Sequence, residues 1–115
     1  MDFKAVDYRT VPAEEVTEAG AVGAKVRWLI TKRDGVTEFA MRYFEVTVGG
    51  SSPLHNHPYE HEVFILKGKC GITCDGRTEV VGTGGVILVP PDSLHQFKNL
   101  GNDTLEFLCM IPYVD

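Results

Sequence analysis

Cysteines are few in this sequence, and long hydrophobic runs are absent from it. The three cysteines, Cys70, Cys74 and Cys109, are too few and too odd in number for the disulfide framework of a small secreted protein. On one strand Cys70 and Cys74 would lie about 13 Å apart, which a disulfide cannot bridge, so we expect both to be small buried hydrophobic residues. The longest apolar runs, such as residues 86–91, are too short to span a bilayer.

An excess of positive charge is also absent. The 115 residues include 11 lysines and arginines against 16 aspartates and glutamates, and this net charge of −5 argues against a surface for nucleic acid or an anionic membrane. Residues 1–9 lack the apolar segment of a secretory signal, so we expect a cytoplasmic protein. Hydrophobic residues make up 43% and charged residues 23%, the ordinary balance of one globular domain, here residues 1–115.

Helical periodicity is absent from residue 25 onward, where short segments rich in β-branched and aromatic residues predict β-strands. The predicted strands are residues 25–31, 38–48, 61–67, 69–74, 77–81, 86–89, 95–98 and 104–111. Asp-Gly pairs at 34–35 and 75–76 indicate turns, and the acidic pair 14–15 resembles the first turn of a short helix that ends near Gly20. Because no helix could cover a sheet face, the pattern predicts an all-β fold, as two packed sheets or a closed barrel.

One predicted strand places a charge among apolar residues. The face of residues 38–48 that carries Arg42 also carries Ala40, Phe44, Val46 and Val48. This face is the more uniformly apolar of the two, so we expect it to point inward. An arginine is almost never buried without a partner or a cavity. Arg42 therefore lines an internal pocket, or the strand bulges and the side chain ends in solvent.

Three of the four histidines lie within seven residues. Period two places His55 and His57 on one side of an extended segment, and the bend at Pro58 lets His61 return to that side. Neutral imidazole is the commonest protein ligand for divalent transition metals. The group therefore predicts a metal site, and a histidine-rich surface loop is the alternative.

These spacings resemble the first motif of the cupin family. From Gly49, five residues lead to His55 and His57, three more reach His61, and six more reach Gly68. The motif thus covers residues 49–68.

A second stretch, residues 84–99, resembles the second cupin motif. Five residues separate Gly84 from Pro90, and His95 and Asn99 follow at the family's spacing. The resemblance implies a double-stranded β-helix, or jelly-roll, barrel. It also implies one divalent metal per chain (manganese, iron, nickel, copper or zinc), with the ligands His55, His57, His61 and His95.

The sequence departs from the family pattern at two positions. His61 stands where most cupins have glutamate, and Glu62 follows it. We favour His61 as the ligand, because its distance to Gly68 fits the motif and Glu62 should face the other side of an alternating strand. Asp92 replaces a motif glycine, and aspartate tolerates left-handed turn geometry better than most residues, so we expect the turn to survive.

The closing segment, residues 106–112, resembles that of small four-histidine cupins, whose aromatic and cysteine side chains face the metal cavity. The residues that this resemblance assigns are Phe97, Phe107 and Ile111 as walls of a substrate pocket, and Arg42 and Cys109 as candidate catalytic residues. Plain core packing is the alternative for the walls, and an inert thiol or a metal ligand is the alternative for the cysteine. Trp28 and Tyr59 are further candidates for the pocket rim.

Four neutral imidazoles would leave a metal near its full double charge, which favours anionic or enolate ligands. We therefore expect a metalloenzyme for a small oxygenated organic molecule. Its chemistry would be that of an oxidoreductase of the dioxygenase type, or that of an isomerase or decarboxylase through a metal-bound enolate. A non-catalytic ligand-binding or sensor protein and a structural metal site are the alternatives. Edge strands of such small barrels need cover, so we expect a homodimer.

Overall fold

The computed structural model describes residues 1–113 and is built mainly of β-strands. The strands are β1 (Ala13–Glu15), β2 (Val22–Ile30), β3 (Phe39–Ser51), β4 (His61–Lys67), β5 (Lys69–Cys74), β6 (Arg77–Gly82), β7 (Val86–Val89), β8 (His95–Asn99) and β9 (Leu105–Pro112). Two short 3-10 turns, Tyr8–Thr10 and Lys32–Asp34, are the helical elements of the described residues. None of the helical elements described is long or apolar enough to cross a membrane.

The strands form one antiparallel sheet that curls into a jelly-roll barrel. Its order is β6-β5-β8-β3-β9-β4-β7, with β2 on the other edge of β3 and β1 beyond β2. The long strand β3 makes the closure possible, since it pairs with β2 and β9 along most of its length and with β8 at Ser51. The inward side chains form one core that includes Phe44, Ile65 and Phe107. The all-β jelly-roll prediction is confirmed.

The N-terminal segment differs from the prediction. Glu14 and Glu15, expected to begin a helical turn, lie in β1 and pair with β2 through Glu14 opposite Val26. The helical turn lies earlier, at Tyr8–Thr10, where the Asp7 carboxylate accepts a hydrogen bond from the backbone N–H of Arg9 at 2.9 Å. Pairing with β2 gives residues 13–15 backbone hydrogen bonds across the ladder, and these outweigh a weak local helix preference.

The inward face of β3 is correctly predicted except at its end. Ala40, Phe44 and Val46 are buried, whereas Val48 is 59% exposed. Pairing of β3 with β9 ends at Val46, and the register with β2 shifts near the same point. The side chain of Val48 therefore lies outside the regular ladder and remains exposed.

The predicted turns differ in length. Asp75 and Gly76 form the two-residue turn between β5 and β6, both with positive φ (50° and 82°). The pair 34–35 lies in a longer connection, where Gly35 ends the 3-10 turn at φ 86°. Cys70 is buried, Cys74 is half-buried, and all three cysteines are free.

Candidate metal centre

The four histidines meet at one end of the barrel. One ring nitrogen of each lies within 4.8 Å of the corresponding nitrogens of the other three. His61 and His95 are buried, and His55 and His57 are half-buried. The structure thus brings together the four residues that the two sequence motifs singled out, although 34 positions separate His61 from His95.

Backbone pairing holds the two motifs against each other. His61 begins β4 and His95 begins β8. An isolated β-bridge joins His55 to His95, with N–H···O distances of 3.2 and 3.0 Å. The N–H of Asp92 donates to the carbonyl of His57 at 2.7 Å. Asp92 has φ 66°, so the turn survives in left-handed geometry as expected.

Three imidazoles have their outer nitrogen fixed by an acceptor. His57 Nδ1 donates to the carbonyl of Tyr59 at 3.1 Å, and His95 Nδ1 donates to the carbonyl of Ser93 at 2.9 Å. His55 Nδ1 lies 2.5 Å from Oε2 of Glu18. A neutral imidazole that donates from Nδ1 has a free lone pair on Nε2. Three lone pairs are therefore available on the inner side of the cluster.

The donor set fits a divalent transition metal. His95 Nε2 is buried and has no hydrogen-bond partner among residues 1–113. His57 Nε2 and His61 Nε2 lie only 2.5 Å apart, with their rings 4.4 Å apart between centroids. Buried unpaired nitrogens are costly unless they bind a ligand, and imidazole nitrogen suits zinc, copper, iron and nickel. Glu62 is exposed on the opposite side of β4, which supports His61 as the fourth donor.

Burial keeps His57, His61 and His95 in the form that can bind a metal. Burial, together with the positive charge of Arg42, lowers the pKa of His61 to about 2. Burial also lowers the pKa values of His57 and His95, against hydrogen bonds to backbone carbonyls that raise them. Neutral rings with free lone pairs are therefore present at neutral pH.

A cavity of about 150 Å³ opens beside the cluster. Trp28, Phe44, Phe97 and Phe107 contribute its apolar walls, and Arg42 its cationic side. A volume near 150 Å³ is about that of a cavity that takes one benzene ring.

Two of the predicted pocket residues lie elsewhere. Ile111 is 8% exposed and belongs to the core rather than to the described wall of the cavity. Ile111 is on the same face of β9 as Cys109, but it is two residues farther along the strand and lies beyond the end of the cavity. Tyr59 stacks on His57, with ring centroids 3.9 Å apart and an interplanar angle of 11°. It thus packs against the histidine cluster and is not among the residues that line the cavity.

Arg42 and Cys109 face each other across the β3–β9 ladder, where they are direct partners. Arg42 Nη2 donates to Cys109 Sγ at 3.0 Å, and the guanidinium lies 5.4 Å from the centroid of the Trp28 ring. Burial raises the pKa of the Cys109 thiol, and the adjacent Arg42 opposes that rise. Arg42 therefore lines the internal pocket, the first of its two predicted placements.

Sequence reasoning missed several residues at this site. Glu18 reaches His55 from 37 positions away, and Val16 and Ser52 line the cavity. A single glutamate in an N-terminal loop carries no spacing signal, because only the pairing of β1 and β2 with the rest of the barrel brings that loop to the cluster.

Residues 42–111 match the family model of the cupin domain, which includes both histidine motifs. The protein is a cupin. This cupin is 38% identical over 71 residues to 1-methylthio-D-xylulose 5-phosphate methylsulfurylase of Rhodospirillum rubrum, covering 62% of this chain and 46% of the relative. It is 28% identical over 97 residues to the polyketide synthase CurC of Streptomyces cyaneus, covering 83% and 63%. The cupin thus spans between about half and two thirds of the length of these relatives.

A solved structure is similar over nearly the whole chain. The polyketide cyclase RemF from Streptomyces resistomycificus superposes with a TM-score of 0.89 at 39% identity. The similarity covers 96% of this cupin and 80% of the RemF chain.

Proposed function

We propose that this cupin is a mononuclear metal-dependent enzyme that activates the carbonyl group of a small organic molecule toward its enolate. The observation that carries the proposal is the convergence of four imidazoles beside an apolar cavity that also contains Arg42. The similarity to the polyketide cyclase RemF supports this choice, because ring closure of a polyketone proceeds through enolate carbon. Isomerase or decarboxylase chemistry would use the same activation.

The chain's own residues divide the remaining work. A divalent ion held by His55, His57, His61 and His95 would supply a Lewis acid for an oxygen of the substrate. The Arg42 guanidinium adds a positive charge beside that position and stabilises a developing oxyanion. The aromatic walls exclude water, which strengthens both interactions, and their spacing admits about one ring of a substrate.

Glu18 is the candidate proton acceptor. It is the one carboxylate that lines the cavity among the described residues. Its Oε2 is already hydrogen-bonded to His55 Nδ1, so the proton it accepts from a carbon atom would lie on a carboxylate anchored to the cluster. The acidic residues within the two motifs, Glu60, Glu62 and Asp92, are exposed.

A dioxygenase is the second candidate. The apolar cavity beside the cluster suits dioxygen, which favours this chemistry. The four neutral donors depart from the two-histidine, one-carboxylate set that is common among non-haem iron oxygenases. We therefore rank it below enolate chemistry.

The first experiment measures metal content. We expect one divalent ion per chain in untagged protein, measured by inductively coupled plasma mass spectrometry. His95→Ala should lower this content at least tenfold, because it removes a buried ligand. Glu62→Gln is the matched control on the same motif and should keep one ion per chain, because its side chain is exposed. The proposal would be refuted if wild-type protein stayed metal-free after incubation with zinc, copper, manganese, nickel and ferrous ions in turn.

The second experiment separates the two chemistries. Acetophenone carries one ring and one ketone, and loss of its methyl proton signal in D₂O, followed by NMR, reports enolate formation. We expect metal-loaded protein to accelerate the exchange and Arg42→Met to slow it about tenfold or more. Oxygen uptake by the same sample without proton exchange would support the dioxygenase instead.

A further inference from the structure

Among residues 1–113, no carbonyl or carboxylate accepts from Nδ1 of His61, the fourth histidine, as one does from Nδ1 of each of the other three. Nδ1 of His61 faces two groups, Cys109 Sγ at 2.9 Å and Arg42 Nη2 at 3.3 Å. An imidazole that gives the Nε2 lone pair to a metal must carry its proton on Nδ1, where it needs an acceptor.

Of these two neighbours, only the sulfur can accept. A guanidinium has five N–H donors and no acceptor. If Arg42 donated to His61 Nδ1, the proton of the ring would have to lie on Nε2, inside the cluster and 2.5 Å from His57 Nε2. That tautomer cannot ligate through Nε2. If Nδ1 of His61 donates to the sulfur, all four histidines can bind the metal. If it accepts from Arg42, only three can.

The distances favour the sulfur. The Nδ1···Sγ separation of 2.9 Å is shorter than that between Nδ1 and Arg42 Nη2, and Nη2 lies nearer to Sγ (3.0 Å) than to Nδ1 (3.3 Å). Both donors thus converge on one sulfur atom. Sulfur has lone pairs in either protonation state, so this arrangement does not depend on ionisation of the thiol.

We propose that Cys109 is a positioning residue for the metal site: its sulfur accepts the Nδ1–H of His61 and also the N–H of Arg42, and so keeps His61 in the tautomer that can ligate. This rests on the proposed metal-dependent function. The ladder explains the placement, since Cys109 is opposite Arg42 on β3 and opposite Val63 on β4, two residues from His61.

The test compares zinc affinity in a set of variants, measured by competition with a chromophoric chelator at pH 7.5. Cys109→Val keeps the volume but removes the acceptor, and we expect about 10- to 100-fold weaker binding. Cys109→Ser restores an acceptor and should bind zinc within about threefold of wild type. Cys109→Ala replaces the valine variant if the latter does not fold.

Arg42→Met makes the test specific for the tautomer. In wild type the proposal places a proton on Nδ1, which then cannot accept from Arg42, so Arg42→Met removes a repulsive charge and a donor to the sulfur but no hydrogen bond to Nδ1. In the Cys109→Val background it also removes the donor that now occupies Nδ1. We expect Arg42→Met to strengthen zinc binding at least fivefold more in that background than in wild type. A purely structural role for Cys109 predicts no such rescue.

NMR of ¹⁵N-labelled imidazoles reads the tautomer directly. We expect His61 to be protonated on Nδ1 in wild type, with and without zinc, and on Nε2 in Cys109→Val. A proton on Nε2 of His61 in wild type, or zinc binding by Cys109→Val within threefold of wild type, would overturn the proposal. Failure of wild type to bind zinc or any of the other divalent ions tested above would instead refute the proposed function, and the tautomer in metal-free protein would still decide the role of Cys109.

Discussion

At the scale of single residues, the candidate metal centre depends on where each imidazole carries its proton. His55, His57 and His95 each have an oxygen acceptor beside Nδ1, which leaves Nε2 free. His61 has a sulfur instead. The sequence identified all four rings from spacing. It could not identify their acceptors, because two of these are main-chain carbonyls and a third belongs to Glu18, far away in the chain.

Burial of His61 predicts a loss of stability in acid. Its folded-state pKa of about 2 lies below the ordinary value of 6.5. Above pH 6.5 the ring is neutral in both the folded and the unfolded chain, so His61 does not lower the stability there. Below pH 6.5 the unfolded chain binds a proton that the folded chain excludes, and stability falls by up to about 1.4 kcal/mol per pH unit from this residue.

Urea unfolding of the metal-free protein between pH 7.5 and 4.5 measures this effect. Carboxylates also titrate in this range, so the quantity of interest is the difference between wild type and His61→Gln. The variant should show the shallower pH dependence. Equal slopes in the two proteins would show that His61 is not held neutral in the folded state.

At the scale of elements, turns with positive φ bring the motifs to the cluster. Asp92 (φ 66°) lies in the turn before β8, and its backbone binds the carbonyl of His57. Asp75 (φ 50°) lies in the turn between β5 and β6, and its carboxylate accepts the N–H of Leu94 at 2.9 Å. Both aspartates adopt a backbone conformation that favours glycine. Among the described hydrogen bonds, the side chain of Asp75 takes part in one and the side chain of Asp92 in none.

Asp92→Gly should raise the free energy of unfolding by about 0.5–1 kcal/mol, because it removes left-handed strain from an exposed residue and breaks no side-chain hydrogen bond described. Asp75→Gly is the matched control. It relieves similar strain but loses the bond to Leu94, so we expect no gain in stability. Urea denaturation at pH 7 compares them, and destabilisation by Asp92→Gly would contradict the assignment of strain.

At the scale of the whole molecule, β1, β6 and β7 are edge strands of the described sheet. Large apolar side chains remain exposed near β7, including Phe64 (45%), Val86 (73%) and Leu88 (67%). Unpaired edges and exposed apolar residues favour association. The homodimer expected from the sequence stays a prediction, as does the cytoplasmic location.

Light scattering coupled to size-exclusion chromatography tests the homodimer. We expect a mass of twice 12.7 kDa at micromolar concentration. A mass of one chain at that concentration would contradict it.

The sequence by itself predicted strands β2 to β9, the all-β fold, the four imidazoles and the inward face of β3 that carries Arg42, while it left open whether Arg42 ends in a pocket or in solvent. These features depend on local patterns, namely period-two alternation, turn residues and motif spacing. Tertiary structure alone decided that Glu14 and Glu15 form a strand, that Ile111 packs in the core, and that Glu18 and Cys109 contact the histidines. Each of these depends on which strands lie side by side, and strand pairing joins residues whose separation along the chain carries no local signal.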